Sequence, residues 1–137
     1  MITISRYTFN RQLVERLADD DRFPLTREMC FKNEYEKWHR PPMMQVTYEQ
    51  ENPENVLSIV IYGSPDGDES RVRIYSLEVE SSHRSQFWGR RAIDRFKSDD
   101  KVEEISLCYL PEAKLFYDKM GFEESGENEM TWKRVRR

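Results

Sequence analysis

Residues typical of metal-binding and disulfide-rich proteins are scarce in this chain of 137 residues. It contains two cysteines, Cys30 and Cys108, which form no CxxC pair, and two histidines, His39 and His83. So few thiol and imidazole groups do not provide the ligands of a metal cluster. The two thiols lie far apart in a chain without an export signal, which favours the reduced state over a disulfide. We therefore expect neither a metal site nor a disulfide bond.

Long apolar runs and an excess of positive charge are also absent. No segment approaches the ~20 consecutive apolar residues that a membrane span needs. The N-terminal MITISRYTFN carries a charge at Arg6 and has no apolar run, unlike a signal peptide. The net charge is -4, whereas nucleic-acid binding needs a basic face, and a solvated strand end explains the basic WKRVRR more simply. These absences predict a cytoplasmic protein whose partners are neither nucleic acids nor membranes.

The chain nevertheless has the apolar residues that a folded core needs. Hydrophobic residues make up 37% of it, and the seven Tyr, seven Phe and three Trp argue against disorder. Its length suits one domain with one core and is too short for two. We therefore expect a single domain over residues 1–137.

The first half of the sequence begins with a strand pattern and two helix patterns. TISRYTF has the content of a strand, and Asn10 can cap a helix over RQLVERLADDDRF. A second helix is predicted over LTREMCFKNEYEKWH, after a break at Pro24, with Thr26 as a candidate cap and Pro41-Pro42 as its end. Three strand patterns follow, MQVTYEQ, VLSIVIYG and RVRIYSLEVE, separated by the turn sequences ENPEN and SPDGDES, and they predict an antiparallel meander. One face of the second helix would carry Met29, Phe31, Tyr35 and Trp38.

The second half alternates helix and strand patterns. Helical spacing from Phe87 predicts a helix that ends at KSDDK, and VEEISLCYL predicts a strand. Pro111 fits the first turn of a helix over PEAKLFYDKM. Gly121 fits the left-handed residue after that helix, with Phe122 folding back onto it. NEMTWKRV predicts a terminal strand and FEES a short extra one, so the order βααβββαβαβ predicts a mixed α/β fold with a largely antiparallel first half.

The crossing from strand to helix at SSHRSQFWGRRA is a candidate anion site. The start of a helix directs unpaired N–H groups outward and carries a partial positive charge, which attracts phosphate. Arg84, Arg90 and Arg91 add full charges around it. The alternative is an ordinary polar crossover loop with solvated arginines, and these residues alone leave both interpretations open.

Two stretches resemble motifs of the GNAT superfamily of N-acetyltransferases. LEVESSHRSQFWGRRA resembles its loop-and-helix motif, with Leu77 and Val79 on the strand, Arg84 as the leading arginine and Gly89 as the final glycine. AKLFYDKMGF resembles its second signature, and the order of elements matches as well. The resemblance implies a three-layer fold, with helices on both faces of a central, mixed, mostly antiparallel twisted sheet. The second signature is matched by Ala113, Phe116, Tyr117, Gly121 and Phe122.

The resemblance implies acetyl-CoA as co-substrate and a primary amine as acceptor, which attacks directly in a ternary complex. The strand carrying Leu77 and Val79 would splay from its neighbour and leave main-chain groups for the pantetheine arm, and one N–H would polarise the thioester carbonyl. The acceptor is otherwise undetermined, and a homodimer is left open. The main-chain amides expected to hold the pyrophosphate belong to Arg84, Ser85, Gln86, Phe87, Trp88, Gly89 and Arg90.

Phe87 departs from the motif, because it stands where the family has the first glycine of the loop. A helix start does not require glycine for its backbone geometry, so the N–H remains, but the ring must point away or it fills the pocket. This departure keeps a second hypothesis open. The domain would then be catalytically silent and act as a CoA sensor or a protein-interaction module.

Tyr117 and Glu78 are the candidate catalytic residues. The resemblance implies that Tyr117 donates a hydrogen bond to the leaving thiolate, whereas from its helix position alone it is an ordinary core aromatic. Glu78 lies between Leu77 and Val79 with its side chain on the opposite face of the strand, where family members often place a base. A surface carboxylate explains Glu78 equally well, and Glu80 is the next acidic residue on that face.

Overall fold

The computed structural model of the chain describes residues 1–17, 22–80 and 88–135. Within them, the strands are β1 (Ile2–Thr8), β2 (Met43–Glu49), β3 (Asn52–Gly63), β4 (Arg71–Val79), β5 (Glu104–Cys108), β6 (Glu123–Gly126) and β7 (Glu129–Lys133). The helices are α1 (Arg11–Leu17), α2 (Pro24–Lys32), α3 (Trp88–Lys97) and α4 (Lys114–Lys119), and short 3-10 turns span Tyr35–Lys37 and Pro111–Ala113.

The strands form one sheet in the order β1-β2-β3-β4-β5-β7-β6. Strands β4 and β5 pair in parallel, and the other described pairs are antiparallel. A core on one face packs α3 and α4 against the sheet through Ile93, Phe96 and Met120. A second core on the opposite face includes Val14 of α1 and Cys30 of α2. The predicted three-layer, mostly antiparallel fold is therefore confirmed.

Several local predictions are confirmed by hydrogen bonds and dihedral angles. Asn10 caps α1, because its Oδ1 accepts a hydrogen bond of 3.1 Å from the N–H of Leu13. Gly121 ends α4 with a φ of 89°, a left-handed conformation that costs glycine little. The N–H of Phe122 then donates to the carbonyl of Tyr117 at 3.1 Å, and the two rings lie 5.6 Å apart.

The second helix differs from its prediction at both ends. It begins at Pro24, because proline is tolerated at the first helical position, where no N–H is needed. It ends at Lys32, since Asn33 is extended, so Phe31 is 63% exposed and Tyr35 is buried in the separate 3-10 turn. Thr26 lies inside the helix and is not its cap. The helix face predicted from the sequence is thus divided between two elements.

The turn after β2 is also shorter than ENPEN predicts. Only Gln50 and Glu51 form the turn, and β3 starts at Asn52 with Pro53 inside the strand. The register between β2 and β3 shifts twice in this region, so proline occupies an irregular part of the ladder.

Candidate active site

An extra residue in β4 changes which side chains face each core. In the pairing with β3, Ile61 lies opposite Ser76 and Tyr62 lies opposite Ile74, so Tyr75 is an unpaired bulge residue. Before the bulge, Val72 and Ile74 belong to the core under α3 and α4; after it, Leu77 packs against that same core. Successive side chains of a regular strand point to opposite faces of the sheet, so without the bulge Leu77 would lie on the face opposite to Val72 and Ile74.

The pairing of β4 with β5 ends halfway along β4. Among the described residues it runs from Arg71 opposite Glu104 to Ile74 opposite Leu107. On the other side, β4 stays paired with β3 up to Val79. The strands therefore separate next to Leu77 and Val79, as the resemblance predicts.

The main-chain groups of Leu77 and Val79 point into this gap. The N–H of Glu80 donates to the carbonyl of Leu57 on β3 at 2.9 Å. Since successive residues of a strand direct their N–H and C=O groups to alternate sides, Glu78 also faces β3. The N–H and C=O groups of Leu77 and Val79 then face away from β3, toward the side where β5 has diverged.

A cleft of about 610 Å³ occupies the region where the strands separate. Its walls come from the open half of β4, from the starts of α2 and α3, from the segment between β5 and α4, and from α4 itself, and they are mainly apolar. The lining residues are Pro24, Leu25, Leu77, Glu78, Val79, Gly89, Leu110, Glu112, Ala113, Phe116 and Tyr117.

Tyr117 lies in the wall that α4 contributes to the cleft. It is buried, with its ring 5.0 Å from that of Phe116 and 5.6 Å from that of Phe122. Burial raises the pKa of Tyr117 to about 12, because the phenolate would lose its hydration. Tyr117 is therefore protonated at every physiological pH and can donate a hydrogen bond.

Glu78 lines the same cleft, but its carboxylate contacts α2. Its side chain is 4% exposed, and it accepts hydrogen bonds from the N–H of Leu25 at 3.0 Å and from the N–H of Thr26 at 2.7 Å. The hydroxyl of Thr26 donates a third bond of 2.8 Å. Both carboxylate oxygens of Glu78 are thus used. Glu80, the alternative acidic residue, is also buried.

The described part of the predicted pyrophosphate loop begins at α3. Gly89 is buried against the cleft, and a Cβ atom there would lie 3.3 Å from Phe116 and 3.6 Å from Val79. Glycine at this position lets α3 approach both β4 and α4. Trp88 is half-buried beneath the guanidinium of Arg91, which lies 4.7 Å from the ring centre. Arg90 is exposed, 3.8 Å from Asp94.

The structure thus brings together a part of the predicted site. Leu77, Glu78, Val79, Gly89 and Tyr117 line one cleft. Arg84, Ser85, Gln86 and Phe87 lie outside the described residues, and so does the prediction that the Phe87 ring points away from the ligand. Within the described residues, no group of three or more His, Cys, Asp or Glu side chains is placed to hold a metal ion.

Sequence patterns missed the side of the cleft formed by α2. Pro24 and Leu25 line it because Glu78 holds the start of α2 against β4. A hydrogen bond between residues 53 positions apart leaves no periodic signal in the sequence. Leu110, which is 52% exposed and also lines the cleft, could have been suspected from its place at the end of a strand pattern, directly before Pro111.

Comparisons with known proteins agree with this geometry. No protein-family model matches the sequence, and no curated protein sequence matches it. Solved structures do match. A protein from Exiguobacterium sp. assigned as an acetyltransferase is 23% identical, with a TM-score of 0.65 over 97% of this chain and 93% of the other. An acetyltransferase of the GNAT family from Staphylococcus aureus is 13% identical, with a TM-score of 0.65 over 96% and 99%. Tetrahymena GCN5 is 13% identical, with a TM-score of 0.64 over 96% and 95%.

The chain therefore has the acyl-CoA N-acyltransferase fold of the GNAT superfamily, as its two motifs predict. The match extends over nearly the whole of each chain. Among the described residues, no helix is both long and apolar enough to cross a membrane.

Proposed function

We propose that the protein is an N-acetyltransferase that transfers an acetyl group from acetyl-CoA to a primary amine. The observation that carries this proposal is the open half of β4, where the main-chain groups of Leu77 and Val79 face the gap beside β5. An extended amide-containing arm pairs with such an edge as an added strand does. The apolar walls of the cleft suit the aliphatic parts of pantetheine, and Gly89 leaves room for close approach of α3.

Acetyl-CoA supplies an activated acetyl group as a thioester. The N–H of Leu77 or Val79 donates to the thioester oxygen as negative charge develops on it, which main-chain donors do without reorganisation. The acceptor amine attacks directly in a ternary complex, entering from the side of Pro24 and Leu25. The main-chain amides from Arg84 to Arg90 hold the pyrophosphate in this proposal.

Tyr117 acts on the leaving thiolate as a hydrogen-bond donor. A thiol has an ordinary pKa near 8.5, about 3.5 units below that of Tyr117, so complete proton transfer from the phenol is uphill by about 5 kcal/mol. A hydrogen bond without proton transfer still stabilises the thiolate, and a hydrogen bond to a charged group contributes about 1.5–3 kcal/mol. Its high pKa keeps Tyr117 a donor throughout the working pH range.

The acceptor must be neutral when it attacks. A lysine-like amine has a pKa near 10.4, so at neutral pH only about one molecule in a thousand is neutral. Glu78 is the candidate for proton removal on β4. Its oxygens already accept three hydrogen bonds, which leaves about one of the four lone-pair sites of a carboxylate for another partner.

Calorimetry with acetyl-CoA, followed by a thiol-release assay on a panel of amines, tests the proposal. We expect binding together with release of free CoA thiol that depends on an amine. Binding without release from any amine would favour the silent sensor that Phe87 keeps open. Absence of binding would contradict both the acetyltransferase and the CoA sensor and would leave the protein-interaction module. Desulfo-CoA serves as the matched ligand, because it retains the pyrophosphate and pantetheine groups but has no thioester.

A further inference from the structure

The start of α2 has no cap from its own sequence. Phe23 stands at the N-cap position and makes no side-chain cap, and Pro24 at the next position has no N–H. The N–H groups of Leu25 and Thr26 are those that an N-cap side chain normally satisfies. Here Glu78, from the neighbouring strand β4, accepts both of them. The cap of α2 is therefore supplied by the strand that borders the cleft.

The surroundings of Glu78 suit a carboxylate that is held in one place. Glu78 and Thr26 are buried, with exposed fractions of 4% and 0%. A buried charge is stable only when it is paired or fully hydrogen-bonded, and three donors together with the positive end of a helix provide this. All three bonds join the carboxylate to the first turn of α2.

The position of α2 determines one wall of the cleft. Pro24 and Leu25, its first two residues, line the cleft, and so do Leu77 and Val79, the neighbours of Glu78 along β4. One side chain thus joins the helix that forms this wall to the open half of the strand. A shift of α2 would change the width of the cleft beside Leu77 without altering β4.

We propose that Glu78 is a positioning residue, which acts by holding the start of α2 against the open half of β4 and so fixes the acceptor side of the cleft. The inference rests on the proposed acetyltransferase function and deepens it. Glu78 differs from a general base in one respect that can be tested: its effect on the reaction passes through the hydrogen bonds to Leu25 and Thr26. A substitution of Thr26 that weakens those bonds should therefore have the same kind of effect on the reaction as a substitution of Glu78.

Four variants separate the two roles. Thr26→Val removes the hydroxyl donor and keeps nearly the same shape and the carboxylate. Glu78→Gln removes the charge and keeps the length of the side chain. Glu28→Gln is the matched control, because Glu28 is an exposed carboxylate on the same helix. Thr26→Ser keeps the hydroxyl that Thr26→Val removes, so it is the conservative variant at the same position.

Amide hydrogen exchange of the protein alone reports on α2 without any substrate. We expect amide exchange at Leu25 and Thr26 to become about tenfold faster in Glu78→Gln and a few-fold faster in Thr26→Val. Exchange requires the start of α2 to open, and weaker hydrogen bonds to residue 78 make this opening more frequent. Thr26→Ser and Glu28→Gln should exchange as the unsubstituted protein does. Unchanged exchange in Glu78→Gln would overturn the proposal, whatever the kinetics.

Steady-state kinetics then test the consequence for the reaction. We expect both Thr26→Val and Glu78→Gln to raise the KM for the amine several-fold, with a smaller change in kcat and with the acid limb of the pH profile of kcat/KM unmoved. One pair of results would overturn the proposal and indicate a general base. In that case Thr26→Val leaves the kinetics unchanged, whereas Glu78→Gln lowers kcat and shifts the acid limb of the pH profile. If the unsubstituted protein acetylates no amine, the proposed function fails, while faster exchange would still support the contact to α2.

Discussion

The two halves of β4 differ in how their main chain is used. At Arg73 and Ile74 the strand has β3 on one side and β5 on the other, so it is an interior strand there, and Arg71 and Val72 pair with β5. Beyond the bulge at Tyr75, the pairing with β3 is the only one that continues among the described residues, and the groups of Leu77 and Val79 face a cleft. The same strand is thus an interior strand in one part and an edge in the other. In the proposed function, the main-chain groups at this edge are the ones that bind acetyl-CoA.

Proline substitutions should separate the two halves most strongly. Val72→Pro removes an N–H that lies between two paired strands, and we expect it to lower the free energy of unfolding by about 2 kcal/mol or more. Val79→Pro removes an N–H that faces the gap, so we expect a loss nearer 1 kcal/mol but an affinity for acetyl-CoA that falls about tenfold. Chemical denaturation and calorimetry measure the two effects.

The opposite pattern would remove the distinction between the halves. If Val79→Pro unfolded the protein as Val72→Pro does, the N–H of Val79 would be part of the ladder. If Val79→Pro bound acetyl-CoA normally, the N–H would play no part in binding, even though it faces the cleft.

Sequence patterns predicted the parts of this site that depend on local order. Leu77, Val79, Gly89 and Tyr117 follow from motifs in which spacing along the chain determines spacing in the fold. The bulge at Tyr75 could not be predicted from the sequence. The residues alternate between the two faces of the strand both before and after the bulge, and the extra residue only exchanges the two faces.

The role of Glu78 could not be predicted from the sequence either. Its position in an alternating strand gave a base and a surface carboxylate equal weight. Burial excludes the surface carboxylate, and burial depends on contacts between elements far apart in the chain. The start of α2 was misplaced for the same reason, since its cap comes from β4.

Two buried tyrosines, one at the cleft and one far from it, provide the next test. Tyr117→Phe should lower turnover about 10- to 100-fold, which is the loss of one hydrogen bond to a charged group, and should affect acetyl-CoA binding less. Tyr35→Phe is the matched control. Tyr35 is buried with Phe9 and Trp38 around it, 5.2 and 4.9 Å away between ring centres, in the core on the other face of the sheet.

Pre-steady-state release of thiol is the measurement for both tyrosine variants. Equal losses of turnover in Tyr117→Phe and Tyr35→Phe would mean that each acts through the stability of its core. Full turnover in Tyr117→Phe would remove the hydroxyl from the mechanism, and the tyrosine would then be a core aromatic, as its helix position alone suggests.

Gly89 tests whether the open half of β4 needs close approach by α3. A Cβ atom at Gly89 would lie 3.3 Å from Phe116, and the further methyl groups of valine would also press on Val79. We expect Gly89→Val to cost about 1–2 kcal/mol of stability through overpacking and to weaken acetyl-CoA binding. Thermal denaturation and calorimetry measure both. Ala92→Val, at a buried position deeper in α3, is the control, since it overpacks the core away from the residues that line the cleft.

The smallest expected effect concerns alkaline pH, where the two tyrosines should behave alike. Burial raises the pKa of both Tyr35 and Tyr117 to about 12. An unfolded chain loses the tyrosine proton near pH 10, so between about pH 10 and 12 the folded protein binds more protons and its stability falls as the pH rises. At pH 10.5 each tyrosine should account for a loss of about 1 kcal/mol relative to pH 8, and either substitution by phenylalanine should reduce the loss by that amount. Urea denaturation at the two pH values measures it. A reduced loss in Tyr35→Phe alone would mean that the hydroxyl of Tyr117 is hydrated in the cleft, and that its proton is then more available to a leaving thiolate than its burial indicates.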